Sequence, residues 1–213
     1  MTDLPFTVDE FLAVFAEYNR ALIIGAAGLW FVAIGVLIGA ARRPHRASRA
    51  LTLFLAALWS WNAVAYHVLF FTSINPAAWV FAAAFLLQAF LFAASFQNIE
   101  YFSATGLRAA TGVALVVYAL AYPFLTIVSG HSYPATPTFG VPCPTAILTI
   151  GVLVTVRAGP PIWLAIIPAL WAFIGGSAAI LLGVPTDYVL LAAGLVLTLL
   201  LVTRIRFDRP RPA

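Results

Sequence analysis

The chain has 213 residues, 63% hydrophobic and only 8% charged, against roughly 25% charged in an ordinary soluble domain. A soluble fold of this size cannot hide so much apolar surface, so lipid is the expected solvent and the expected class is an all-α integral membrane helical bundle. The formal net charge of +4 rests on arginine alone, because the sequence contains no lysine. The arginines flank apolar runs instead of forming a stripe, which excludes nucleic acid as the partner, and the missing lysine excludes a retinal Schiff base.

The first residues, MTDLPFTVDEF, are acidic and lack the basic region of a cleavable signal peptide. Thr7-Val8-Asp9-Glu10 reads as a capping box opening a helix. Phe11, Leu12, Val14, Phe15 and Tyr18 give that helix an apolar side, so a short helix lying along the outer interface is expected. The alternative is that it merges into the first span through Tyr18-Asn19-Arg20.

A crossing needs about 20 apolar residues to cover a core of ~30 Å. Ala21–Ala41, Leu51–Phe71, Ala77–Phe96 and Arg108–Val128 meet that length, as do Pro161–Val184 and Pro185–Thr203. Thr145–Val156 is shorter, and including it makes seven transmembrane helices in one domain over residues 1–213. With seven, Arg42, Arg43, Arg46, Arg49, Arg108, Arg157, Arg204, Arg206, Arg209 and Arg211 share one side of the bilayer. Only Arg20 falls on the other, beside Asp3, Asp9, Glu10 and Glu17. The excess of arginine predicts an N-terminus outside and a C-terminus in the cytoplasm. Gly35-x-x-x-Gly39 and Ala172-x-x-x-Gly176 are expected to serve close helix packing inside the bundle.

Polar groups within lipid are costly and turn inward. In the second span, Asn62 and Tyr66 are four residues apart and should share a face. His67 is read either as a neutral histidine hydrogen-bonded to a neighbouring helix or as a ligand or proton-handling group. Gln88 is expected to bond between helices, while Ser95, Gln97, Asn98 and Glu100 lie toward the cytoplasm. Tyr118 and Tyr122 precede Pro123, which should kink the fourth span; the two tyrosines line a resulting cavity or belong to the aromatic belt or core.

The stretch GHSYPATPTFGVPCP, residues 130–144, holds the only cysteine. The helix after it is short at 1.5 Å per residue, so this loop is expected to be partly re-entrant, a plug packed among the spans. Pro144 suits the first helical position, making Cys143 the expected N-cap. Two readings follow. Cys143 is a thiol activated by the helix dipole, with His131 and His67 near it as ligands of a soft or borderline metal ion, or it is a small buried capping residue. Asp187, in the first turn of the last span, complements that helix's dipole. Glu17, Asn62, Tyr66, His67, His131, Cys143 and Asp187 share the outer half, and this shared depth suggests an outward-facing pocket.

The phrases EYNRA at 17–21, WSWNAVAYH at 59–67, INPAAW at 74–79, LLQA at 86–89 and TFGVPCPT at 138–145 follow one another along most of the chain. With them the sequence resembles a bacterial multi-pass membrane family known as domain of unknown function 6064. In that family's pattern the place of Cys143 can hold an aspartate, which implies a capping acceptor there. The resemblance implies a bacterial membrane protein and brings no activity with it; the expected localisation is the bacterial inner membrane.

No phosphate-binding glycine loop, HExxH or hydrolase elbow occurs in the sequence, and a bis-histidine haem would need His131 beside His67. The leading expectation is a non-enzymatic protein that binds or translocates a small solute or metal ion through an outward-facing pocket. The alternatives are a membrane redox or metal-handling enzyme using Cys143 and His67, and an accessory subunit of a membrane complex.

Overall fold

The computed structural model describes residues 5–95 and 99–207, with the backbone alone for residues 44–46 and 204–207. Asp3, Phe96, Gln97, Asn98, Arg209 and Arg211 lie outside the described residues, as do the side chains of Arg46, Arg204 and Arg206. Every regular element among the described residues is helical. In chain order they are α1 (Val8–Arg42), α2 (Pro44–Trp61) with a π-helical continuation over Asn62–Val68, and a 3-10 turn at Phe71–Ser73. Then come α3 (Ala78–Ala94), α4 (Gly106–Val128), α5 (Pro142–Val154), α6 (Ile162–Leu182), a 3-10 turn at Pro185–Asp187, and α7 (Tyr188–Phe207).

Five stretches, Val8–Arg42, Ala47–Ser73, Gly106–Val128, Ile162–Leu182 and Pro185–Thr203, are long and apolar enough to cross a membrane; α3 and α5 are apolar but shorter. Large apolar side chains such as Ile24, Val80, Phe90 and Leu107 point outward. This is the apolar exterior of a membrane protein, where a soluble one would expose no such continuous surface.

α1 opens on the expected capping box: Glu10 N–H donates to Thr7 Oγ1 at 3.2 Å, and Thr7 N–H donates to Glu10 Oε2 at 2.7 Å. No separate interfacial helix follows. Nothing in Tyr18-Asn19-Arg20 removes a backbone donor or favours a left-handed turn, so the helix runs on for 35 residues, about 50 Å at 1.5 Å per residue. Its apolar side, with Val14, Phe15 and Tyr18, packs on Tyr66, Phe71 and Val141 instead of lying on an interface.

α5 is the centre of the bundle. Every residue from Pro142 to Val154 except Cys143 is buried, so this short helix meets protein on all sides. α2 is zipped to it by Trp59 Nε1 donating to Thr149 Oγ1 at 2.9 Å and Asn62 Nδ2 donating to Thr145 Oγ1 at 3.0 Å. α4 approaches it backbone to backbone. A methyl group on Gly112 would stand 2.7 Å from the Gly151 carbonyl oxygen, and one on Gly151 would stand 2.9 Å from the Gly112 carbonyl oxygen. At the far end of this pair, Arg108 donates to the carbonyls of Val154, Val156 and Arg157, giving partners to the orphan acceptors of a helix C-terminus. Nearby, Tyr101 N–H donates to Ser48 Oγ and its hydroxyl shares a hydrogen bond with Thr52; burial pushes this phenol above its ordinary value.

The segment before α5 leaves regular structure and is buried from Thr136 onward. Interior backbone of this kind needs partners for its peptide groups, and Asn19 provides them. Its Nδ2 donates to Pro134 O at 2.7 Å and Thr136 O at 2.8 Å, while its Oδ1 accepts from Thr138 Oγ1 at 2.7 Å. Tyr18 donates to Gly140 O at 3.1 Å and accepts from Trp61 Nε1 at 2.8 Å. Gly140 has a φ of +87°, and a Cβ there would lie 3.1 Å from the Tyr18 hydroxyl, so backbone and space both favour glycine.

α4 and α6 continue through Pro123 and Pro168. Pro168 has no N–H for the Leu164 carbonyl four residues earlier. Gln88 Nε2 of α3 donates to that carbonyl at 3.1 Å, so the glutamine replaces the donor that the proline lacks. Of the two small-residue motifs, Ala172-x-x-x-Gly176 packs on α7: a Cβ on Gly176 would meet Leu191 at 2.5 Å. Gly35-x-x-x-Gly39 does not serve the bundle, because Gly35 is exposed with open space around its Cβ position and Gly39 has only Ala47 near it.

Two outcomes are expected in thermal unfolding of the purified protein. Gly151→Val should destabilise by about 1–3 kcal/mol through overpacking, while Gly35→Ala, mid-helix with open space around it, should not destabilise and should gain up to about 1 kcal/mol. Gln88→Leu should cost about 1 kcal/mol in the wild type and close to nothing in a Pro168→Ala background, where the backbone donor is restored.

Candidate functional site

A cavity of about 280 Å³ opens at the end of the bundle where α1 begins. Phe6, Phe11 and Phe15 from the start of the chain form one wall. Tyr66, Phe71 and Phe81 from the ends of α2 and α3 form a second, and α6 from Trp171 to Leu182 closes the third. The floor is the start of α5, with Val141, Pro142 and Cys143, beside Asp187. Among the described residues, Asp187 is the one charged residue of this lining, and it is buried.

Local sequence explains how the carboxylate comes to lie there. Gly183 ends α6 in the left-handed conformation, as is usual after a helix, and Pro185 starts a single 3-10 turn that turns Asp187 inward. Two tyrosines of α4 hold this turn: Tyr122 donates its hydroxyl to Asp187 Oδ1, and Tyr118 donates to Thr186 O at 2.7 Å. Asp187 thus does more than complement the dipole of α7. Cys143 faces the same carboxylate and the indole of Trp171, although Trp171 Nε1 reaches no partner of hydrogen-bonding geometry.

Cys143 is not the N-cap. α5 starts at Pro142 with Val141 as cap. Pro142 and Pro144 both fit the first turn, whose N–H groups have no intrahelical acceptor, so the helix begins two residues earlier than Pro144 alone suggests.

The expected site residues do not gather in one place. Tyr66, Cys143 and Asp187 line the cavity. Asn62 lies deeper, tied to Leu58 O and Thr145. Tyr66 instead packs on Phe15 and Tyr18 of α1, so the two do not serve one surface; the widened turns of the π segment do not keep α-helical register. His67 sits one layer behind the cavity wall, its ring centroid 4.7 Å from Phe85, 5.4 Å from Trp171, 5.8 Å from Phe81 and 6.0 Å from Phe71. Neither ring nitrogen has a hydrogen-bond partner, which corrects the expectation of a histidine bonded to a neighbouring helix. His131 remains at the start of the plug, its N–H donating to Thr126 O at 3.1 Å, and Glu17 is exposed on α1.

Among the described residues, no three His, Cys, Asp or Glu side chains gather as a metal site would require. Cys143, His131 and His67 therefore do not converge. The plug carries Cys143 inward and leaves His131 behind, and aromatic rings enclose His67.

The sequence profile of the family of unknown function DUF6064 matches residues 8–211. The chain belongs to this family. No curated protein and no solved structure matches it, so the family assignment brings the phrases of the sequence together without adding a chemistry. For this DUF6064 member the site has to be read from its own side chains.

Sequence reasoning missed the aromatic walls and Tyr122 as a positioning residue. Phe11 and Phe15 were visible as an apolar helix side, yet spacing alone does not distinguish a lipid-facing side from a cavity wall. The four-residue spacing of Tyr118 and Tyr122 was a usable signal, because both hydroxyls do point to one neighbouring turn.

Tyr122→Phe should lower stability by about 1–3 kcal/mol, since it removes the donor to a buried carboxyl. Tyr118→Phe, which removes a half-buried hydroxyl from the Thr186 carbonyl and no partner from a carboxyl, should cost about 1 kcal/mol. Thermal unfolding of both variants checks the order.

Proposed function

We propose that this protein crosses the bacterial inner membrane seven times, N-terminus outside and C-terminus in the cytoplasm, and binds a small solute that enters its cavity from the outer side. The observation that carries this reading is the opposition of two features along the bundle. The cavity lies at the end where α1 starts, and Arg42, Arg43, Arg49, Arg108 and Arg157 lie at the other. Arginine-rich ends stay cytoplasmic, so the cavity faces outward.

The size fits a small molecule, near the lower end of the ~300–1,000 Å³ of ligand pockets. Two irregular elements border it: the π segment that carries Tyr66 and the buried plug that delivers Cys143. Interrupted helices of this kind border solute sites in many transporters, which supports binding and makes translocation the natural extension of it.

The experiment has two arms. In a Cys143→Ser background, a membrane-impermeant maleimide added to intact spheroplasts should label Ser132→Cys, in the exposed loop before the plug, and should leave Thr105→Cys, before α4, unlabelled until the membrane is opened. In the otherwise wild-type chain, Cys143 is the sole thiol and lines the cavity. A small apolar maleimide should alkylate it slowly, because the thiol is largely enclosed, and Ala178→Trp, which fills the cavity, should slow that reaction further. The reverse labelling pattern, or unchanged alkylation in a folded Ala178→Trp protein, would overturn the reading.

A further inference from the structure

The outward-facing cavity of the preceding reading has an electrostatic asymmetry that names its ligand class. Among the described residues, Asp187 is the only charged residue in the lining, and no arginine, lysine or histidine lines it. A carboxylate taken out of water costs several kcal/mol unless a charge partner or several donors compensate. Tyr122 supplies one hydrogen bond and Cys143 a weak second contact. A positively charged ligand would hold this group as a carboxylate, where otherwise burial favours taking up a proton.

The walls favour the same sign. Phe11, Phe15, Tyr66, Phe71, Phe81 and Trp171 surround the space before the carboxylate, and the negative faces of aromatic rings attract cations and repel anions. An inorganic cation is poorly served here, since a hard ion needs six or more oxygens and the lining offers few oxygens beside an aromatic majority. A cation that keeps its charge on nitrogen and covers the rest of its surface with carbon needs only one carboxylate and apolar walls.

Trp171 contributes its ring to this wall and not its N–H. Trp171 is only 9% exposed and lines the cavity, yet its Nε1 has no hydrogen-bond partner. A Cβ on Gly175, also in the lining, would lie 3.2 Å from that nitrogen, so the donor edge runs along the glycine that opens the wall. That nitrogen is itself closed off from the open space, so Trp171 meets a ligand as part of the aromatic wall and not as a donor.

We propose that the cavity binds a small lipophilic organic cation, a protonated amine whose ammonium pairs with Asp187 and whose carbon skeleton lies against the aromatic walls. The inference rests on the cavity being a solute site, and the test separates the two claims. The full-length protein in nanodiscs is titrated calorimetrically with 2-phenylethylamine and 4-phenylbutylamine, and with the neutral alcohol of each skeleton.

At least one amine should bind ten times or more tighter than its alcohol. Asp187→Asn should abolish that preference while alcohol binding persists, and Asp187→Glu should retain it. If Asp187→Asn does not fold, loss of amine binding on Ala178→Trp and its retention in Asp187→Glu carry the same conclusion. Equal binding of amine and alcohol, removed by Ala178→Trp, would overturn the cation inference and keep the cavity. No binding of any probe to the folded wild type would overturn both.

Discussion

A chain that leaves regular structure inside an apolar bundle must give every peptide group there a partner, and in this protein that demand converges on Asn19. One amide side chain from α1 accepts from Thr138 and donates to two carbonyls of the plug. Because those bonds hold residues 134–138, the chain can turn at Gly140 under the Tyr18 hydroxyl and begin α5 deep in the molecule. α5 in turn is the surface on which α2 and α4 are assembled. The same requirement explains why α1 does not bend onto an interface at Tyr18: the residues that would have to leave the bundle are the ones that hold its interior together.

Polar side chains elsewhere do comparable work. Gln88 replaces the donor lost at Pro168, Arg108 closes the C-terminal carbonyls of α5, and the two tyrosines of α4 fix the Pro185–Asp187 turn. Each sits where regular backbone bonding fails, at a proline, a helix end or a 3-10 turn. In a chain so poor in charge, polarity is placed according to backbone need. Asp187 exceeds that need, since a turn can be held through carbonyls alone, as Tyr118 holds Thr186. A buried carboxylate in an aromatic cavity is therefore the feature that structure by itself does not require, and it is where a functional reading has to start.

His67 shows the opposite case. It has the residue type usually taken as functional, yet it lies behind the cavity wall with both nitrogens unpaired and rings on several sides. Phe71, Phe81 and Trp171 separate it from the space that Asp187 lines. Its contribution in this structure is as an aromatic ring in the packing between α2, α3 and α6.

The family came from a resemblance of short phrases along the chain; composition, the lengths of apolar runs and local motifs were enough for an all-helical chain of membrane character, the capping box at Thr7 and a buried irregular stretch before α5. These follow from one-dimensional constraints: how much apolar length a bilayer needs, which residues cap a helix, and how many peptide groups a proline-rich turn leaves without partners. The rest depended on which faces meet. Whether Phe11 and Phe15 face lipid or a cavity, whether Gly35 or Gly151 brings two backbones together, and whether Cys143 lies near His67 or Asp187 are all set by how helices rotate against each other. That rotation is decided by contacts between residues far apart in the chain, such as Asn19 with Thr138 and Tyr122 with Asp187, and no local pattern records it.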